Sequence, residues 1–138
     1  MDYRKLTSCE IDALWALQKQ YKTEIGEDDP NDEGKERLAY AINKGMISFY
    51  GVWKDNALIA CCSITVGFST FDYNLSGVFE DFYICPAYRH QGIARQLVEF
   101  AYHESGVCSL TVGCADCDVQ MYRSLGFTVS LGNLLAFE

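Results

Sequence analysis

The stretch of the chain with the clearest chemical meaning is a polar loop that leads into a helix. The loop runs from Arg89 to Gly92, and the small Ala94 stands two residues further on. Apolar residues then recur at the spacing of a helical core stripe, at Ile93, Leu97, Phe100 and Ala101. Backbone N–H groups at a helix N-terminus are free and lie at the positive end of the helix dipole, and a glycine lets an anion approach them. The sequence therefore predicts a phosphate-binding loop here.

The segment before this loop is an apolar, aromatic-rich strand that carries two adjacent carboxylates, Glu80 and Asp81. Pro86 marks its end, because proline cannot continue a sheet ladder. Successive side chains of a regular strand point to opposite faces, so only one carboxylate is expected to face a cleft. Neither Gly-x-Gly-x-x-Gly nor Gly-x4-Gly-Lys-Ser/Thr occurs anywhere in the chain, so neither of the two common nucleotide motifs explains the loop.

The remaining pattern predicts one domain that begins with a strand and two helices. The first strand is predicted at Tyr3–Leu6, and a capping box formed by Thr7 and Glu10 opens a helix over Ser8–Tyr21. A second helix starts at Asn31 or Asp32 and stops at Gly45. Further strands are predicted at Met46–Trp53, Ala57–Phe68, Val78–Cys85, Val107–Val112, Phe127–Val129 and Leu134–Phe137, with a short helix over Asp116–Ser124.

Composition excludes several classes of protein. The 138 residues are 49% hydrophobic and 22% charged, as expected of one folded domain with its own core. No apolar run approaches the length of a membrane span and no apolar signal segment follows the N-terminus, so we expect a cytoplasmic protein without a membrane partner. Seven cysteines, an odd number, fit a reducing compartment. The net charge of −8 argues against binding nucleic acid.

The motif Arg89-x-x-Gly92-x-Ala94, placed after a strand ending in Ile84-x-Pro86, resembles the acetyl-CoA signature of the GNAT N-acetyltransferases. The run Tyr122-Arg123-Ser124-Leu125-Gly126-Phe127 about thirty residues later strengthens the resemblance, which spans essentially residues 1–138. It implies an α/β (α+β) fold with a single mixed central sheet, splayed between two parallel strands at the cofactor cleft and flanked by helices. It also implies an enzyme, acetyl-CoA as acyl donor and a primary amine of a small molecule or peptide as acceptor. A monomer or a homodimer is expected.

The resemblance also assigns the donor-binding residues. The backbone of one group, Phe82, Tyr83 and Ile84, would bind the pantetheine arm and the acetyl carbonyl. The backbone N–H groups of a second group would bind the pyrophosphate, and this group comprises His90, Gln91, Gly92, Ile93, Ala94 and Arg95. The side chains of Arg89 and Arg95 would add positive charge near the phosphates. Many relatives have an asparagine where this chain has Ala115, so one contact to the cofactor arm is missing or replaced.

By the same resemblance, Tyr122 is the candidate acid that protonates the departing CoA thiolate. Its alternative role is that of a core aromatic with a bonded hydroxyl. Amide formation needs a neutral amine, whereas an alkyl amine has a pKa of roughly 10, so a base must remove a proton. Glu80 is the predicted base, with Asp81 as the alternative; either carboxylate would otherwise be a solvated or ion-paired strand residue.

Two features of the cysteines offer other chemistry. Cys85 ends the strand near the expected thioester and would allow an acetyl-cysteine intermediate, although cysteine is more often a small buried hydrophobe. Cys114-x-x-Cys117 has the spacing of a metal or redox pair, but a zinc site needs two further ligands and neither histidine is close in sequence. We therefore predict free thiols and no metal.

Three questions stay open from the sequence. The same loop would serve a non-catalytic acyl-CoA-binding or sensing domain, and an enzyme could also use a longer acyl chain or an oxygen acceptor. The acidic stretch between the first two helices predicts a cationic acceptor, or else is only a solvated loop. Its carboxylates are Glu24, Glu27, Asp28, Asp29, Asp32 and Glu33.

Overall fold

The computed structural model describes residues 1–138 as one mixed sheet with helices on both faces. The strands follow one another in the sheet in chain order. They are β1 (Asp2–Lys5), β2 (Ser48–Lys54), β3 (Ala57–Ser69), β4 (Asn74–Ile84) and β5 (Ser109–Val112). The helices are α1 (Ile11–Glu24), α2 (Asp32–Asn43), α3 (Ile93–Ser105) and α4 (Val119–Ser124). The predicted fold class is confirmed.

Local sequence signals explain where several elements begin and end. The Asn31 side chain caps α2 by accepting from the Gly34 N–H at 3.0 Å, and Glu10 closes the capping box on Thr7. Gly92 and Gly106, at the two ends of α3, have left-handed φ values of 83° and 72°. Short 3₁₀ turns precede α1 and α4, so the predicted helices at Ser8 and Asp116 each begin with such a turn.

The sheet is splayed where the resemblance implies. β1 to β4 pair antiparallel, whereas β4 and β5 pair parallel over only Ser76–Phe79 and Ser109–Val112. Beyond Phe79, β4 therefore has β3 as its only neighbour, and one edge of residues 80–84 is open. A parallel pair that separates in this way leaves backbone groups available to a ligand.

Two hydrophobic clusters fix the helices on opposite faces of the sheet. The larger cluster lies between α3 and the sheet and includes Ile64, Phe79 and Leu97. The smaller one lies on the face covered by α1 and includes Leu14 and Tyr83. None of the helices combines the length and the apolar composition needed to cross a bilayer.

The two strands predicted at the C-terminus, Phe127–Val129 and Leu134–Phe137, are wrong. Residues after α4 form neither helix nor strand, and β5 remains the edge of the sheet. The apolar alternation is present, but alternation creates a strand only where a ladder of hydrogen bonds joins it to a neighbour. A cavity of about 1080 Å³ instead separates this segment from β5 and α3. β4 also starts earlier than predicted, at Asn74.

Candidate functional site

The loop before α3 presents a row of backbone N–H groups without acceptors. From His90 to Arg95, none of these groups donates a hydrogen bond to another atom of the chain. His90 and Gly92 have left-handed φ values of 63° and 83°, a conformation that glycine adopts most easily. A Cβ built on Gly92 would meet no heavy atom within 4 Å, so the space beside it is open. Free amides beside open space at a helix N-terminus suit an oxyanion such as a phosphate.

Both arginines of the motif are bonded to other parts of the chain. Arg89 donates from Nε to the Ile84 carbonyl at 2.8 Å and from Nη2 to the two carboxylate oxygens of Glu24 at 2.9 and 2.8 Å. Arg95 donates to the Ser124 carbonyl at the end of α4. Arg89 thus joins β4 to α1, and Arg95 joins α3 to α4. The charge of Arg89 is already balanced by Glu24, so the backbone amides are the main candidates for holding an anion.

The open edge of β4 carries the residues predicted to contact the acyl arm. The side chains of Tyr83 and Ile84 are buried in the two clusters, so only their backbones are candidates for contact with a ligand. The half-buried Phe82 ring lies 5.4 Å from the Phe79 ring and 6.2 Å from the Tyr122 ring, measured between centroids. The structure therefore brings Tyr122 next to the splayed part of β4.

Tyr122 has the properties of a proton donor. Its ring packs against Phe82 and Phe127, yet its hydroxyl makes no hydrogen bond within the chain and is not fully buried. Burial, together with the smaller effects of the nearby Tyr21 and Asp118, raises the pKa of Tyr122 to about 12. The phenol is therefore protonated at neutral pH, and its O–H is free to meet a ligand. The alternative role, a core tyrosine with a bonded hydroxyl, does not fit, because no atom of the chain forms a hydrogen bond with this hydroxyl.

A β-bulge changes the expected placement of the two carboxylates. Glu80 pairs with Ser63 and Tyr83 pairs with Cys61, so Asp81 and Phe82 together lie opposite the single residue between them on β3. Cross-strand partners share a face, and the Asp81 carboxylate accepts a 2.7 Å hydrogen bond from the Ser63 hydroxyl. Both carboxylates therefore lie on the face of Ser63. The expectation that only one would reach that face assumed a regular strand and is wrong.

The two carboxylates differ in their surroundings. Glu80 is exposed and forms no ion pair or side-chain hydrogen bond, whereas Asp81 is half-buried and bonded to Ser63. Burial raises the pKa of Tyr21 on α1, and the charge of the nearby Asp81 contributes to the same shift. The structure thus places Asp81 among polar groups from α1 and β3, and Glu80 toward solvent.

Sequence reasoning did not single out Ser63 or Tyr21. Ser63 is a lone hydroxyl in the apolar run from Leu58 to Ile64, and a polar residue inside such a strand is the signal that marks it. Tyr21 enters the sequence prediction only as the last residue of the first predicted helix. Its ring centroid lies 5.9 Å from that of Tyr83, so α1 contributes an aromatic side chain beside the open part of β4.

The cysteines near the site offer little nucleophilic reactivity. Burial raises the pKa of the half-buried Cys85 thiol, although Arg89 opposes the shift. Cys114 and Cys117 are exposed, and neither forms a disulfide bond. No three His, Cys, Asp or Glu side chains are grouped as metal ligands.

The acidic stretch is partly neutralised. Glu24 pairs with Arg89 at 2.8 Å, Glu27 with Lys22 at 3.0 Å, and Glu33 with Arg37. Asp28 and Asp29, in the loop between α1 and α2, form no ion pair. Any unbalanced charge in this loop is therefore concentrated at these two residues.

Comparison with solved structures supports the same fold over the whole chain. A probable acetyltransferase is 19% identical, with 100% of this chain and 99% of that one covered at a TM-score of 0.87. An aminoglycoside acetyltransferase from an uncultured soil metagenomic sample, in complex with sisomicin, is 14% identical (99% and 94% covered, TM-score 0.81). A predicted acetyltransferase with acetyl-CoA from Clostridium acetobutylicum is 19% identical (99% and 95% covered, TM-score 0.75).

At these identities the neighbours show a shared fold and not a shared substrate. No protein of curated function matches the chain in sequence. The family model described as an acetyltransferase (GNAT) domain matches residues 46–129, which include β2 to β5, the loop before α3 and Tyr122. The chain is therefore a member of the GNAT acetyltransferase family.

Proposed function

We propose that the protein transfers an acetyl group from acetyl-CoA to a primary amine by direct attack of the amine on the thioester. The observation that carries the proposal is the row of free backbone N–H groups from His90 to Arg95 beside the open space at Gly92. A diphosphate offers the negative oxygens that such a row binds. A similar fold is recorded with acetyl-CoA in the Clostridium acetobutylicum protein, which supports this choice of donor.

In the proposed complex, the pantetheine arm lies along the open edge of β4. The backbone groups of Phe82, Tyr83 and Ile84 on that side have no strand beside them, so they can bond the amides of the arm. The side chains of Tyr83 and Ile84 are buried in the core, which keeps the backbone rigid. A rigid set of donors and acceptors orients the thioester at little entropic cost.

The acceptor nitrogen attacks the thioester carbonyl, forms the amide bond and breaks the C–S bond. The amine must first lose a proton, directly or through a water molecule, and we assign this step to Asp81 in preference to Glu80. Asp81 is half-buried, fixed by Ser63 and near Tyr21, whereas Glu80 is exposed and unbonded. A fixed, partly desolvated carboxylate is a better general base than a mobile one in water.

Tyr122 then donates its proton to the departing thiolate, and the second proton, which the nitrogen loses as the amide forms, returns the phenolate to the phenol. Its pKa of about 12 keeps the phenol protonated until the sulfur becomes negative. An acetyl-cysteine intermediate is not part of the mechanism, because burial raises the pKa of Cys85 and leaves its thiol poorly ionised at neutral pH.

The test is a thiol-release assay with acetyl-CoA and a panel of primary amines, run beside calorimetry of CoA binding. Release of free CoA that depends on an amine supports the proposed transfer. Tight CoA binding without release for any amine would instead identify a non-catalytic acyl-CoA-binding domain. Release with alcohols only, or only with longer acyl-CoA donors, would change the acceptor or donor class and leave the site assignment standing.

A further inference from the structure

The β-bulge in β4 holds Asp81 in the left-handed conformation, which most residues other than glycine seldom adopt. Two residues of β4 lie opposite one residue of β3, and Asp81 has a left-handed φ of 55°. The first residue of a bulge with this backbone is usually glycine, because a Cβ is strained in the left-handed region. A strained residue of this kind points to a functional role for the aspartate.

Two groups on β3 hold this bulge. The Ser63 hydroxyl donates to the Asp81 carboxylate at 2.7 Å, and the Cys61 thiol donates to the Asp81 carbonyl at 3.5 Å. Burial raises the pKa of Cys61 well beyond its ordinary value, so the thiol keeps its hydrogen. One β3 residue thus binds the carboxylate and a second binds the backbone of the same residue.

Ser63 is itself an unusual core residue. It is 1% exposed, and among the buried residues only Gln18 is also polar. A buried hydroxyl needs a hydrogen-bond partner, and that of Ser63 is the carboxylate of Asp81. An alanine at this position would need no hydrogen-bond partner, so packing alone does not explain why a serine is present.

We propose that Ser63 is a positioning residue that fixes the Asp81 carboxylate toward the acceptor amine. This inference rests on the proposed function, because Asp81 acts there as the base. The hydroxyl occupies one carboxylate oxygen and leaves the other free to take the proton. Without that bond the side chain would sample other rotamers, and a displacement of about 1 Å at a reacting group can lower the rate by about 10²-fold.

The experiment is a double-mutant cycle on the full chain with Ser63→Ala, Asp81→Asn and the combined variant. Ser63→Ala is expected to lower kcat by about 10-fold while the Kd of acetyl-CoA stays within about 2-fold of wild type, because the donor site is elsewhere. In the Asp81→Asn background the same change is expected to alter kcat by less than about 2-fold, since there is no longer a base to position.

Two further variants separate positioning from packing. Ser63→Thr keeps a hydroxyl on a strand that favours β-branched residues, so its kcat is expected to remain near wild type. Thr65→Val removes a hydroxyl from the same face of β3, two residues away, and is expected to leave kcat unchanged. Thermal unfolding of each variant reports whether it folds. If Ser63→Ala does not fold, the kcat of Ser63→Thr still tests the positioning role.

The outcomes are distinct. A wild-type protein that releases no CoA with any amine overturns the proposed function, and the positioning role falls with it. If the wild type is active, two results overturn the positioning role alone. In the first, Ser63→Ala keeps the wild-type kcat. In the second, Ser63→Ala lowers kcat by the same factor in the Asp81→Asn background as in wild type. The positioning role is also overturned if Ser63→Thr loses as much kcat as Ser63→Ala.

Discussion

Replacing Gly92 by glutamate tests most directly the proposal that the loop before α3 binds phosphate. The structure predicts that the variant folds, because a Cβ at this position meets no heavy atom within 4 Å. The φ of 83° makes any side chain strained there, at a cost of about 1–2 kcal/mol in the free energy of unfolding. The carboxylate would occupy the space next to the free N–H groups and repel a diphosphate.

The loss of affinity follows from the hydrogen bonds that are removed. Charge-assisted hydrogen bonds contribute about 1.5–3 kcal/mol each, so losing two of them weakens acetyl-CoA binding by roughly 3–6 kcal/mol. That is about a 10²- to 10⁴-fold increase in Kd. Calorimetric titration with acetyl-CoA measures it, and circular dichroism with thermal unfolding shows whether the variant is folded.

Gly106 offers a matched control at the other end of the same helix. It has a φ of 72° and open space around its Cβ position, so Gly106→Glu introduces the same strain and the same charge. A glutamate is also less favourable at a helix C-terminus than at an N-terminus, so this variant should lose at least as much stability. Its Kd should nevertheless stay near wild type. A folded Gly92→Glu protein that binds acetyl-CoA within about 3-fold of wild type would refute the assignment of the loop.

Three further predictions concern the acceptor side and the acid. Tyr122→Phe should lower kcat by about 10²- to 10⁴-fold with little change in the Kd of acetyl-CoA. Because the pKa of Tyr122 is about 12, the factor should be constant from about pH 6 to about pH 10, and a loss within about 2-fold would make Tyr122 merely structural. Asp81→Asn should reduce kcat by at least about 10²-fold and Glu80→Gln by less than about 5-fold; the reverse order in the same steady-state assay would make Glu80 the base. Asp28→Asn combined with Asp29→Asn should lower kcat/KM for a polyamine, but not for a singly charged amine, at about 0.01 M salt, where the Debye length is about 30 Å. If kcat/KM for the two amines depends equally on salt in wild type, and the variant shows no loss of kcat/KM, the loop does not recruit the acceptor.

The sequence by itself determined the features that depend on neighbours in the chain. Helices could be placed from the spacing of apolar residues and from caps such as Asn31, and the loop could be assigned from Gly92 and Ala94 at a helix start. These signals are local, because a cap or a glycine acts on backbone groups within one turn. The order of these elements and the motif were enough to indicate the family.

Only the tertiary structure decided the features that need two distant segments. The bulge at Asp81 arises from the register of β4 on β3, and it moved both carboxylates to one face, which strand alternation alone could not foresee. Arg89 pairs with Glu24, 65 positions away, instead of standing free near a phosphate. The C-terminal residues have a strand-like pattern but no ladder, because a strand forms only where an edge with the right register is present to bond it. The sequence of a segment determines its secondary-structure propensity, whereas the fold determines which segment forms hydrogen bonds with its backbone.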